Sequence, residues 1–269
     1  MMAAADLLAT IVAATRRVIE VRRKAVPLDE LERRMTRAPA GRAFVDALRL
    51  STPPRVIAEC KRRSPSKGVL RAEYDPPAHA AAFAASGAAA ISVLTEPTFF
   101  DGSLEHLAAV RAAVTVPVLR KDFVVSEYQL AEAAAFGADA VLLIVGALAG
   151  HDLRRLRERA AARGLATLVE VHDRDELTRA LEAGADLVGV NSRDLRTLSV
   201  DLAVLDDLVA RIPPHATAVA ESGIRTADDI ARLSAAGYHA FLVGERLIAQ
   251  RDPGGALREL RQPVREARA

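Results

Sequence analysis

Glu59 and Lys61 stand one residue apart at the end of a short apolar run, Arg55–Lys61. On a β-strand they share a face, with Cys60 on the other. If Ile57 lies in a core, both point into whatever cavity the strand opens on, while Cys60 meets a helix layer and is inert. A carboxylate beside an ammonium there can hold and protonate an oxygen-bearing anion. A plain salt bridge at a strand end would use the same two residues. The same alternation puts Lys121 on the side of Leu119 and Pro117, where a solvated lysine is the bland alternative. It puts Glu170 on the side of Leu168. An acid within an apolar strand is costly unless paired, which favours a working group. Asn191, Arg193 and Glu221 end or follow two further runs. Five run ends together supply two lysines, three carboxylates, an amide and an arginine, too matched a set for chance.

Ser222-Gly223 and Gly244-Glu245 close the last two runs, each just ahead of a helical stretch. Backbone N–H groups at such turns bind phosphate, and glycine lets the backbone approach closely. Metal chemistry is not expected. The histidines at 79, 106, 151, 172, 215 and 239 lack ligand-like spacing, and there is one cysteine. His172, the one histidine at a strand's C-terminal end, is read as structural, on the face opposite Glu170. No Ser-His-Asp grouping or Walker loop occurs.

Eight strands must carry these residues: Arg55–Lys61, Ala89–Leu94, Val116–Lys121, Ala138–Val145, Ala166–Val171, Leu187–Asn191, Ala216–Glu221 and Ala240–Gly244. Helical patterns fill the intervals, so the expected architecture is α/β, a single (β/α)8 TIM barrel, whose functional groups gather at the C-terminal strand ends. Gly87, Gly137, Gly184 and Gly237 each follow a helical stretch, where a left-handed residue is favoured. An open doubly wound sheet would more often show a Gly-rich turn after the first strand, and none is there. Residues 1–54 read as an N-terminal helical extension packed on the barrel of 55–269, over one mouth. Leu8, Ile11, Val12, Thr15 and Ile19 give an amphipathic helix, and Pro27-Leu28-Asp29-Glu30 stops it and starts another.

The 269 residues suffice for one such barrel and leave no room for a second. A net charge of +2 does not suggest nucleic acid. The Ala3–Thr15 stretch makes a poor signal peptide, and no apolar run approaches the ~20 residues of a membrane span. The lone cysteine fits a reducing, cytoplasmic setting.

The motifs, in order, resemble those of the indole-3-glycerol phosphate synthase family: Ile57-Ala58-Glu59-Cys60-Lys61-Arg62-Arg63-Ser64-Pro65-Ser66, Ser92-Val93-Leu94-Thr95-Glu96-Pro97 with Phe100-Asp101-Gly102-Ser103, Leu119-Arg120-Lys121-Asp122-Phe123, Leu168-Val169-Glu170, Val190-Asn191-Ser192-Arg193-Asp194-Leu195, Glu221-Ser222-Gly223 and Val243-Gly244-Glu245. The similarity spans about residues 6–250. It implies ring closure, decarboxylation and dehydration of 1-(2-carboxyphenylamino)-1-deoxyribulose 5-phosphate to indole-3-glycerol phosphate, in tryptophan biosynthesis, without cofactor or metal.

By that resemblance Lys121 is the general acid at the carbonyl, Lys61 holds the carboxylate and serves as acid for hydroxide loss, and Glu170 is the general base. Glu59 and Asn191 position hydroxyls and lysines, with Glu221 nearby. Pro65, Phe100, Phe123 and Leu195 form the slot for the aromatic ring, and Ser64 belongs to the same substrate-binding loop. Ser222, Gly223, Gly244 and the N–H of Glu245 hold phosphate, with charge from Arg63 or Arg193. Some relatives carry Ser at 245, and an acid beside phosphate repels unless turned away. Two lysines in one site disfavour each other's charge, although the carboxylates oppose this. Expected partners are the sugar-phosphate substrate and, weakly, other enzymes of the pathway. The rival readings are a sugar-phosphate isomerase or epimerase, a Schiff-base aldolase, and a non-catalytic phosphate-ligand barrel serving as a scaffold.

Overall fold

The computed structural model describes residues 6–262. Eight parallel strands, β1 (Val56–Cys60), β2 (Ala90–Leu94), β3 (Val118–Lys121), β4 (Ala140–Ile144), β5 (Ala166–Val171), β6 (Leu187–Asn191), β7 (Thr217–Glu221) and β8 (Ala240–Val243), pair in chain order and close into a barrel. The closing contact pairs Ile57 of β1 with Leu242 of β8. The helices are α1 (Leu7–Ala25), α2 (Leu28–Arg34), α3 (Gly41–Leu50), α4 (Pro76–Ala85), α5 (Leu104–Ala113), α6 (Glu127–Ala135), α7 (Gly150–Ala162), α8 (Arg174–Glu182), α9 (Ala203–Val209), α10 (Ala227–Ala236), α11 (Glu245–Ile248) and α12 (Pro253–Leu260). This is the (β/α)8 barrel expected from the sequence.

Strands covered on both faces read as near-continuous apolar runs, because each side chain meets either the interior or the helix layer. Val56, Ala58 and Cys60 pack outward with Phe83 and Leu107. Ile57, Leu119, Leu142, Leu168, Val219 and Leu242 fill the interior. Six strands differ from the expected bounds by one or two residues at one or both ends, and two of the differences have a clear cause. Pro117 has no N–H to give the ladder, so β3 starts at Val118. Val145–Ala147 tightens into a 3-10 turn, so β4 ends at Ile144. The four corner glycines adopt φ values from 82° to 117°, as anticipated.

The segment before β1 reaches both ends of the barrel. Asp6 caps α1 by accepting the N–H of Ala9, and Leu8, Ile11, Thr15 and Ile19 form its buried stripe. Leu8 approaches Gly146 just beyond β4, and Asp6 pairs with Arg196 in the loop after β6, both at the C-terminal strand ends. α3 crosses the opposite end. Its Gly41 N–H donates to the carbonyl of Gly164 ahead of β5, and the preceding Ala40 N–H donates to Asp139 ahead of β4. Phe44 and Leu48, fully buried, plug the interior from below. Among the described residues no helix is long and apolar enough to cross a membrane.

Candidate active site

The C-terminal strand ends surround a cavity of about 390 Å3. Glu59, Lys61, Lys121, Glu170 and Asn191 line it, delivered by the strand alternation that turns each inward from the residue two places before. Glu221 lies beneath the floor, 1 % exposed. Lys121 is the hub. Its Nζ lies 2.8 Å from Glu221, 3.6 Å from Glu170 and 3.8 Å from Glu59. Lys61 Nζ lies 2.6 Å from the other Glu59 oxygen. Cys60 faces the helix layer, and burial pushes its thiol pKa up.

Glycines make room for the carboxylates. A Cβ at Gly189 would collide with Glu221 Oε1, and one at Gly244 with Glu59 Oε1. Gly244 therefore has a steric role beyond that expected at a phosphate.

Charge follows the arrangement. Burial disfavours the Lys121 ammonium, but the carboxylates of Glu221, Glu170 and Glu59 outweigh it and raise its pKa above the ordinary lysine value. The expected easing of one lysine toward neutrality by the other does not hold at Lys121: three acids within 4 Å dominate. Burial pushes the Glu59 carboxyl up, yet Lys61 and Lys121 together bring it below the usual range. Glu221 goes the other way. Burial and the neighbouring Glu170 raise its pKa, and Lys121 only partly offsets them.

An apolar slot borders the charges. Pro65, Phe100, Phe123 and Leu195 line it as expected, with Phe100 and Phe123 ring centroids 6.1 Å apart, and Leu142 and Ile144 of β4 complete the wall. Ser64 also faces the cavity. Arg63 does not. It is exposed, and in the small hairpin of Arg63–Ser64 with Gly68–Val69 its neighbour Ser64 takes the buried side. Arg193 is on the wall instead, so of the two candidate arginines it alone is placed to add charge.

Beyond the slot, Ser222, Gly223, Gly244 and Glu245 share one part of the wall. Ser222 (φ 65°) and Gly223 (φ 74°) are consecutive left-handed residues. Left-handed backbone at a non-glycine is uncommon and is concentrated at ligand-binding turns. The Glu245 carboxylate is engaged by Arg193 at 3.7 Å and Lys67 at 4.0 Å.

His172 does not face away from Glu170 as the sequence suggests: it stands one residue past the end of β5, and its Nε2 lies 3.5 Å from Glu170 Oε1. The loop residues Ser66, Leu198, Val200 and Arg225 also reach the wall, and no strand periodicity points to them.

Among the described residues no group of three or more His, Cys, Asp or Glu side chains is arranged to hold a metal ion. The cavity can thus bind an anion, deliver protons from two ammonium groups, and accept one at a carboxylate.

Comparisons with known proteins point to one family. A sequence model of the indole-3-glycerol phosphate synthase family matches residues 8–260. The indole-3-glycerol phosphate synthase of Streptomyces griseus is 51% identical over 239 residues, 89% of this chain and 88% of that one. That of Nocardioides sp. is 56% identical over 76% of this chain and 79% of its own. That of Azospirillum brasilense is 43% identical over 95% and 98%. Solved structures include a 3-hexulose-6-phosphate synthase (TM-score 0.61, 20% identity, 77% of this chain and 98% of that one) and a thiamine phosphate pyrophosphorylase from Pyrococcus furiosus (TM-score 0.58, 21% identity, 77% and 93%), which share the fold. The chain belongs to the indole-3-glycerol phosphate synthase family, carboxy-lyases of tryptophan biosynthesis.

Proposed function

We propose a division of labour among the cavity residues for the family reaction, the conversion of 1-(2-carboxyphenylamino)-1-deoxyribulose 5-phosphate to indole-3-glycerol phosphate, CO2 and water. The observation that carries it is the convergence of Lys61, Lys121, Glu59 and Glu170 on one cavity with a left-handed Ser222-Gly223 turn on its wall.

The phosphate binds at Ser222, Gly223, Gly244 and the Glu245 N–H, with Arg193 supplying charge. The aromatic ring enters the slot of Pro65, Phe100, Phe123 and Leu195. Lys61 holds the ring carboxylate, and Asn191 and Glu59 orient hydroxyls and lysines. The ring carbon bearing the carboxylate attacks the ketone carbon. The developing alkoxide is a far stronger base than an amine, so it takes a proton from Lys121 even though the acids nearby stabilise that ammonium. Loss of CO2 returns its bonding electrons to the aromatic ring. The new hydroxyl then leaves as water with a proton from Lys61 while Glu170 removes a proton from the adjacent methylene. Two protons are given and one is taken, so each turnover draws one proton from solvent.

The proposal includes a cytoplasmic setting, which the single cysteine favours, and weak contact with enzymes of the same pathway. Its test is a fluorescence assay for indole formation from the carboxyphenylamino sugar phosphate. A signal that grows with enzyme and is lost with Lys121 supports it. A merely isomerised sugar phosphate, or a borohydride-trapped adduct on lysine, would replace it with the isomerase or aldolase reading.

A further inference from the structure

Glu170 Oε1 and His172 Nε2 face one another at 3.5 Å, both buried and neither with a hydrogen-bond partner. The far side of the imidazole is fixed by Glu176 of α8. Its Oε2 accepts the backbone N–H of His172 at 2.9 Å and lies 3.0 Å from Nδ1. An ionised carboxylate there can only accept, so Nδ1 carries hydrogen. A neutral ring would then turn the Nε2 lone pair toward the lone pairs of Glu170, leaving two buried acceptors facing each other unmet. One proton between Nε2 and Oε1 satisfies both.

The surroundings favour holding that proton. Glu170 stands two residues before His172 at the end of β5, Glu176 faces it from α8 and Glu221 from β7, and Asp194 in the loop after β6 feels its charge. Lys121 of β3 is the opposing cation, on the far side of Glu170. Burial pulls the imidazole pKa down, but the hydrogen bond to Glu176 and the nearby carboxylates outweigh it and raise it above the ordinary histidine value. His172 also lies on the wall of a second, shallow depression, with Asp173, Arg174, Val204 and Asp207, whereas Glu170 is on the wall of the substrate cavity. His172 therefore borders both Glu170 and an opening separate from the substrate cavity.

We propose that His172 positions the Glu170 carboxylate and carries protons between it and solvent through this second opening. The inference rests on Glu170 being the base. The proton Glu170 takes from the substrate passes to the Lys121 amine, 3.6 Å away. Lys121 passes that proton on through Glu59, 3.8 Å away, to the Lys61 amine, 2.6 Å from Glu59. An imidazolium at His172 gives its Nε2 proton to Glu170, which hands it to Lys121, and solvent restores the imidazolium. Both lysines end protonated and Glu170 ionised, with one proton drawn from solvent.

The test compares His172→Ala, His172→Asn and Glu170→Gln with the unaltered protein, each checked for folding by circular dichroism. His172→Ala is expected to lose about ten- to a hundred-fold in kcat, at or below the low end of the usual range for a proton-transfer group because Glu170 itself remains, with KM nearly unchanged. Added imidazole and its methylated analogues should restore kcat in order of their basicity. A kcat equal to that of the unaltered protein, or a loss that these bases do not relieve, overturns the proposal. If His172→Ala does not fold, His172→Asn, which keeps an amide toward Glu176 and cannot carry a proton, must show the same loss; full activity there also overturns it. Glu170→Gln separates the two ideas: if it is fully active the base assignment itself fails, and if it is inactive while the His172 variants are unimpaired only the proton route fails.

Discussion

Lys121 Nζ and Glu221 Oε2 lie 2.8 Å apart, and Glu221 is so deeply placed beneath the cavity that its charge depends on that one cation. Removing the lysine has two effects. Lys121→Ala should lower turnover by about a thousand-fold or more, as expected of a general acid that also organises the site. It also leaves Glu221 without the cation that partly offsets its burial, so its folded pKa rises further above the unfolded one. The folded state then binds more protons than the unfolded state, and stability falls as pH rises above about 4.5, the unfolded carboxylate range. The variant should be folded at pH 6 and lose denaturation midpoint toward pH 9 faster than the unaltered protein.

Glu170→Gln preserves shape and removes the base. Steady-state kinetics should show a kcat lowered by roughly a hundred-fold or more with KM nearly constant. A change confined to KM would mean that Glu170 binds substrate instead of moving a proton.

Glu221 has its pKa raised by burial and by Glu170, so ionising it works against the fold. That penalty is absent below the unfolded glutamate pKa, grows as pH climbs from there through the folded value, and then levels off. Glu221→Gln mimics the protonated form. Its stability relative to the unaltered protein should increase between pH 5 and pH 9, by at most ~1.4 kcal/mol per pH unit within the window. Urea titrations at several pH values measure this, and a difference independent of pH would contradict the assigned shift.

Glu245 holds a carboxylate against Arg193 and Lys67 at the proposed phosphate end of the cavity. Glu245→Ser removes a like charge from the phosphate and frees Arg193. KM should fall by about two- to ten-fold at low salt, a gain of roughly 0.4–1.4 kcal/mol that shrinks as ionic strength rises. An unchanged KM would place the phosphate elsewhere.

Arg120 has no exposed surface and binds Asp122 at 2.8 Å and Glu132 at 3.0 Å on the outer side of β3. Arg120→Ala strands two buried acids and should cost about 3–5 kcal/mol of stability, read from the urea midpoint. A loss under 1 kcal/mol would show that Thr95 and Arg22, their other partners, suffice.

The sequence exposed what strand alternation controls. Glu59, Lys61, Lys121, Glu170 and Asn191 each sit two places after an inward residue, so period two alone aims them at one cavity. His172, one residue past β5, lies outside that rule, and its ring turns toward Glu170. What stayed hidden depends on contacts between distant segments. Arg63 and Ser64 differ in orientation because of pairing with Gly68–Val69. The outward network of Arg120, Asp122 and Glu132 has no period to reveal it. The steric roles of Gly189 and Gly244 come from side chains on neighbouring strands, which no local pattern reports.

Gly244 abuts Glu59, so the first and last strands of the barrel are locked to a common tolerance where they meet. Any side chain at 244 must evict the carboxylate that steadies both lysines, even though 244 belongs to the loop that would grip the far end of the ligand. Alterations at that grip are thereby transmitted to the proton donors, and engineering one for a new tail will demand compensating change at position 59.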